Sequence, residues 1–138
     1  MAKSADKNQK LNRKIAAIAI DTYRWMVLAR SFEDRISNIY RAGKIVGGVY
    51  VGKGQEAFSA ALASQLNAGQ DIYSPLIRDM AGRAAFGEPL IDAARTYLGS
   101  AHGPTIGRDG NAHRGNSKAG TVSYTHLRAH ETREDLVC

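Results

Sequence analysis

Few residues of this 138-residue chain combine types and spacing in a way that does chemistry. His126 and His130 stand four apart, the spacing that puts two imidazoles on one helix face toward a metal. Gly52-Lys53-Gly54 offers a glycine-flanked lysine, but the other positions of a phosphate loop or a dinucleotide fingerprint are absent. Asp109-Gly110-Asn111 reads as a turn. Arg78 stands at the head of a predicted helix. A guanidinium is permanently charged and forks onto two oxygens at once, and a helix start favours anions. The chemistry open to Arg78 is therefore capture of an oxyanion. Cys138 is the single cysteine, which excludes an intrachain disulfide and a cysteine-built metal site.

The elements that must position these groups are mostly helical. Over residues 11–41, Trp25, Leu28, Phe32, Ile36 and Ile39 recur at three- and four-residue steps and predict one apolar stripe. Ala42-Gly43-Lys44 supplies the stop, with Gly43 suited to a left-handed cap. Gly54-Gln55-Glu56 opens a second helix, with Glu56 favoured by the helix dipole. Its continuation, Ala57 to Leu66, is small and apolar almost all round and predicts burial on several sides. Pro75 biases Ser74 away from helix. A third helix is expected over 78–86, and a fourth over 90–98 with Pro89 in its first turn. Gly99 to Gly120 forms a glycine-rich loop of a length that usually serves function.

The formal charge is +6 and the isoelectric point about 9.7, which admits anionic ligands or nucleic acid. The basic residues are spread out, with a mild cluster at Lys3, Lys7, Lys10, Arg13 and Lys14. Residues 1–10 read as a flexible basic lead-in. A basic helical nucleic-acid-binding module is the alternative reading. It lacks a basic face interleaved with aromatics, so nucleic acid is not the expected partner. No apolar run is long enough to cross a bilayer, and the stretch 15–20 is closed by Asp21 without a cleavage pattern. The expectation is a cytoplasmic protein without a membrane partner.

Residues 121–138 break with the rest. They lack a sustained helical or strand period, and their wording resembles the translated read-through of a sequencing-library adapter. The expected organisation is a lead-in over 1–10, a truncated domain over 11–120, and a non-native tail over 121–138. The tail holds Cys138, His126 and His130, so the spaced histidine pair belongs to no metal site.

The order of several motifs carries a resemblance. Phe32-Glu33-Asp34-Arg35, Tyr40-Arg41-Ala42-Gly43-Lys44-Ile45 and Gly54-Gln55-Glu56-Ala57 come first. Asp71 and Arg78 follow, then Leu98-Gly99 and Gly107-Arg108-Asp109-Gly110-Asn111-Ala112-His113. Together they resemble the N-terminal part of the alpha subunits of thiamine-diphosphate-dependent 2-oxo acid dehydrogenases, of the pyruvate, branched-chain and acetoin type. The likeness runs over roughly 22–115.

That resemblance implies an α/β thiamine-diphosphate-binding fold, a parallel sheet with helices on both faces, of which this chain is mostly the N-terminal helical part. It implies thiamine diphosphate and Mg2+ as cofactors, held between alpha and beta subunits of a heterotetramer. The activity implied is oxidative decarboxylation of a 2-oxo acid, with the acyl group passed to a lipoyl-bearing acyltransferase. Arg78 matches the arginine that grips the diphosphate. Ile77 stands beside it where many members carry tyrosine, and Met80 where they often carry histidine. Tyr50 takes the place of a histidine near the substrate in pyruvate-type members, and His113 falls near the active-site entrance. The metal-binding aspartate and asparagine and the alpha subunit's catalytic histidine match no residue here. The chain alone is therefore expected to be inactive, with neither a catalytic residue nor a metal ligand of its own.

Overall fold

The computed structural model describes residues 2–108 and 113–122. It contains α1 (Ala2–Arg41), α2 (Glu56–Ala63), α3 (Met80–Ala85) and α4 (Leu90–Tyr97). Residues 2–41 contain neither glycine nor proline, and α1 runs unbroken through the stretch expected as a loose lead-in. Up to Ile20 its described side chains are exposed; burial starts at Asp21, where other elements reach it. Ala29, Glu33 and Ile36 are then buried, with Trp25, Met26, Phe32 and Ile39 packed around them. Leu28, expected in the apolar stripe, faces outward. The small Ala29 takes its place at the centre and lets neighbouring elements approach the helix closely. Gly43, at φ 72°, ends α1, with Lys44 N–H donating to the Ile39 carbonyl (3.2 Å) and Gly43 N–H to that of Tyr40 (2.8 Å). This is the six-to-one and five-to-two pattern of a left-handed helix stop.

α2 packs against α1 and α3, while α4 touches α1 more lightly. One core joins Ala29, Ile36, Ile45, Ala60, Met80, Ala81, Ala93 and Tyr97. A second gathers Ala63, Tyr73 and Phe86, the two rings lying 5.3 Å apart between centroids. Burying a ring or branched side chain of this kind contributes about 1.5–3 kcal/mol. α2 was expected to be covered on several sides. It buries only the face carrying Glu56, Ser59, Ala60 and Ala63, and Phe58 stands 77% exposed.

Among the described residues, extended pairing is limited to isolated bridges. In the parallel bridge between Tyr73 and Thr121, Tyr73 N–H donates to the Gly120 carbonyl and Val122 N–H to that of Tyr73, both at 3.0 Å. Thr121 is thereby drawn into the interior, 2% exposed. The parallel sheet implied by the resemblance is not represented among these residues, which form the helical part. His126, His130 and Cys138, like Asp109-Gly110-Asn111, lie outside the described residues.

Candidate functional site

The segment between Tyr73 and α3 carries the residue on which the oxyanion reading rests. Pro75 keeps the chain out of helix there, and a turn follows, closed by Asp79 N–H on the Leu76 carbonyl (3.2 Å). Arg78 sits in that turn. It does not open a helix as expected, because α3 begins at Met80 and spans only six residues. No helix start therefore serves Arg78, whose setting is a hollow. That hollow, about 220 Å³, is lined by Arg78, Ser74, Ser59, Asp79, Gln55 and the apolar wall of Phe58, Leu62, Leu76 and Tyr73.

Two polar atoms in this lining are buried without a hydrogen-bond partner, Ser74 Oγ and Asp79 Oδ1. The other Asp79 oxygen accepts from the Tyr73 hydroxyl. Burial, reinforced by that bond to the Asp79 carboxylate, pushes the Tyr73 phenol far above its usual range, so it stays a donor. A buried hydroxyl without a partner costs free energy unless something supplies an acceptor. Arg78 and Ser74 thus offer one cation and one spare donor on a single hollow.

The backbone behind Arg78 is fixed from α1. Gly52 N–H donates to Glu33 Oε1 at 2.8 Å, and a Cβ at Gly52 would stand 2.0 Å from the Arg78 carbonyl oxygen. Only glycine permits that approach. Glu33 is buried, its Oε2 without a hydrogen-bond partner. Burial raises its carboxyl above the ordinary range, opposed by the Gly52 amide and assisted by the charge of Glu56. Glu56 goes the other way. Its desolvation is outweighed by Arg30 Nε at 2.6 Å and by nearby amides, including Gly54 N–H at 2.7 Å, so its carboxyl is lowered.

The remaining candidates are dispersed. Ile77 is half-buried beside Arg78 and brings no polar atom to the hollow. Tyr50 is exposed; its carbonyl accepts from the Tyr97 hydroxyl at 3.3 Å. His113 is half-buried next to Arg114. Neither Tyr50 nor His113 lines the Arg78 hollow.

Sequence reading missed a buried ionic cluster. Arg83, Glu88 and Arg114 are 1%, 7% and 5% exposed. Arg83 Nη1 donates to Glu88 Oε1 (2.8 Å) and to the Arg114 carbonyl (3.0 Å), and Arg114 Nε donates to Glu88 Oε2 (3.2 Å). The Thr121 hydroxyl adds a bond to Glu88 Oε1 at 2.7 Å. Burial lowers the Arg114 pKa, and repulsion from Arg83 adds to this against the pull of Glu88. The pairing spans up to 33 residues of sequence, so no local pattern announced it. Ser74 was equally hidden, because an orphaned hydroxyl is a property of its surroundings.

No protein-family model matches the chain. Curated relatives do. Over 95 residues, 69% of this chain and 22% of the relative, it is 34% identical to the pyruvate dehydrogenase E1 component subunit alpha-3, chloroplastic, of Oryza sativa subsp. japonica. It is 36% identical over 89 residues to the 2-oxoisovalerate dehydrogenase subunit alpha of Bacillus subtilis, covering 64% of this chain and 27% of that one. The pyruvate dehydrogenase E1 component subunit alpha of Zymomonas mobilis is 33% identical over 95 residues, 68% of this chain and 27% of its own length. The aligned region spans only about a quarter of each relative. Over two thirds of its own length, this chain belongs to the family of 2-oxo acid dehydrogenase alpha subunits.

Proposed function

We propose that this chain is the N-terminal part of a thiamine-diphosphate-dependent alpha subunit, and that Arg78 and Ser74 hold oxygens of the cofactor's diphosphate. The observation carrying this reading is the spare Ser74 hydroxyl buried in the hollow that Arg78 lines. A permanently charged fork and a hydroxyl without a protein partner suit a group rich in acceptors and poor in donors. Glu33 and Gly52 support the arginine by fixing its backbone. Phe58, Leu62 and Leu76 give one side of the hollow an apolar lining. Ile77 contributes bulk, not a hydrogen bond, and Tyr50 and His113 are proposed to serve the substrate entrance only once the remaining subunit is in place.

When bound, thiamine diphosphate supplies the electron sink needed to decarboxylate a 2-oxo acid. In the same reading a beta subunit completes the cofactor site, Mg2+ neutralises the diphosphate through residues outside this chain, and a lipoyl-bearing acyltransferase takes the acyl group. The proposed compartment is the cytoplasm. The isolated chain has no turnover in this reading.

The test uses the full-length alpha subunit assembled with its beta subunit. Arg78→Gln should weaken thiamine diphosphate binding about ten- to a hundredfold, the worth of a hydrogen bond to a charged group. An unchanged cofactor affinity in a folded Arg78→Gln heterotetramer overturns the assignment.

A further inference from the structure

We propose that the cleft beside Arg114 is a second binding site, for a small oxyanion, phosphate or carboxylate. The cleft holds about 260 Å³ and is lined by Glu88, Asp92, Pro104, Arg114 and residues 115–118. None of these lines the hollow that holds Arg78.

Two buried guanidiniums share a single carboxylate, Glu88, and both of its oxygens are already engaged. Among the described residues one positive charge is left over, on guanidiniums that are 1% and 5% exposed, and buried charge is tolerated when something pairs with it. The donors are in excess as well. Arg83 Nε is buried without a hydrogen-bond partner, and among the described residues Arg114 Nη2 reaches the thioether of Met80 at 3.7 Å, a weak acceptor.

The missing acceptor has room to arrive from one direction. Arg114, nine-tenths buried, lines the cleft, and the rim adds the Lys118 ammonium and the Ser117 hydroxyl. Asp92, the other carboxylate in the lining, has its own cation in Arg95 at 3.8 Å. A compact anion entering beside Arg114 would neutralise the surplus charge, with Lys118 and Ser117 as further partners in the lining.

The experiment is a titration of the 138-residue chain, carrying Ile15→Lys and Ile18→Lys on the exposed half of α1 to keep it dispersed, with inorganic phosphate at constant ionic strength, balanced with chloride and followed by amide chemical shifts, with a parallel titration using acetate. Saturable shifts at residues 114–118 with either anion support the site, and the better ligand tells phosphate from carboxylate. Lys118→Gln should weaken binding threefold or more, Arg114→Gln should abolish it, and Arg78→Gln should leave it unchanged. Should Arg114→Gln fail to fold, the exposed Lys118→Gln decides. A response to neither anion beyond chloride, or wild-type affinity in Lys118→Gln, overturns the proposal. Loss of binding in Arg78→Gln alone would assign the response to the other hollow and overturn it too.

Discussion

The Glu33 carboxylate on α1 accepts the main-chain N–H of Gly52 at 2.8 Å, and through this bond the longest helix holds the glycine loop against the carbonyl of Arg78. Three segments distant in sequence meet there: α1, the 45–54 loop and the turn before α3. The bond is buried and the contact leaves no room for a side chain on Gly52.

Gly52→Ala should therefore be destabilising. Its Cβ would stand 2.0 Å from the Arg78 oxygen, so backbone must move on one side or the other. Overpacking of this kind costs about 1–3 kcal/mol. A urea midpoint equal to that of the wild type would show that the loop is free to move away.

The pH dependence of Glu33 has a definite sign. Its carboxyl is raised, chiefly by burial, so the folded chain holds the proton more tightly than the unfolded chain. Its contribution favours folding at low pH and is lost as pH rises from the unfolded value, about 4.3, through the raised folded one. Glu33→Gln keeps an acceptor for Gly52 and removes the titration. The variant should gain on the wild type between pH 4 and pH 7 in urea midpoints followed by circular dichroism. A difference independent of pH contradicts this account.

The Arg83–Glu88–Arg114 cluster separates two energetic ideas. Glu88→Ala leaves two buried guanidiniums facing each other and should cost about 3–5 kcal/mol, a large share of the 5–15 kcal/mol typical of a whole domain. The triple replacement Arg83→Met, Glu88→Leu, Arg114→Met removes all three charges of the cluster at similar volume and should be far milder. Denaturation curves of the two variants decide, and equal losses would mean that packing, not charge, governs the cluster.

Ser74→Ala is expected to split stability from binding. The hydroxyl has no protein partner, so its removal should leave stability unchanged or slightly raised. In the full-length heterotetramer the same change should weaken thiamine diphosphate about five- to tenfold, near 1 kcal/mol. A stability loss without a change in affinity would place a structural partner on Ser74 instead.

The isolated chain should self-associate. Phe58 and Ile72 are 77% and 75% exposed, and Leu11, Ile15 and Ile18 form a bare stripe on the solvent-surrounded half of α1. Such surfaces seek cover. Ile15→Lys with Ile18→Lys should lower the apparent mass in light scattering behind size-exclusion chromatography. A monomeric wild type with a sharp, cooperative melt would refute this.

The linear order of residues was enough for four helices in sequence and for some of their ends, though α1 starts before residue 11 and α3 starts after Arg78. The absence of glycine and proline from 2–41 made α1, Gly43 ended it in a left-handed turn, and Pro89 set the start of α4, because these are effects within a few bonds of one residue. The motif order also pointed to the right family. Tertiary structure alone decided which side chains lack partners and which share one. The placement of Arg78 in a turn, the orphaned Ser74 hydroxyl, the surplus charge at Arg83 and Arg114, and the bare flank of α2 all depend on contacts between distant segments. Burial and hydrogen-bond satisfaction are set by what packs from elsewhere in the fold, which no spacing along the chain encodes.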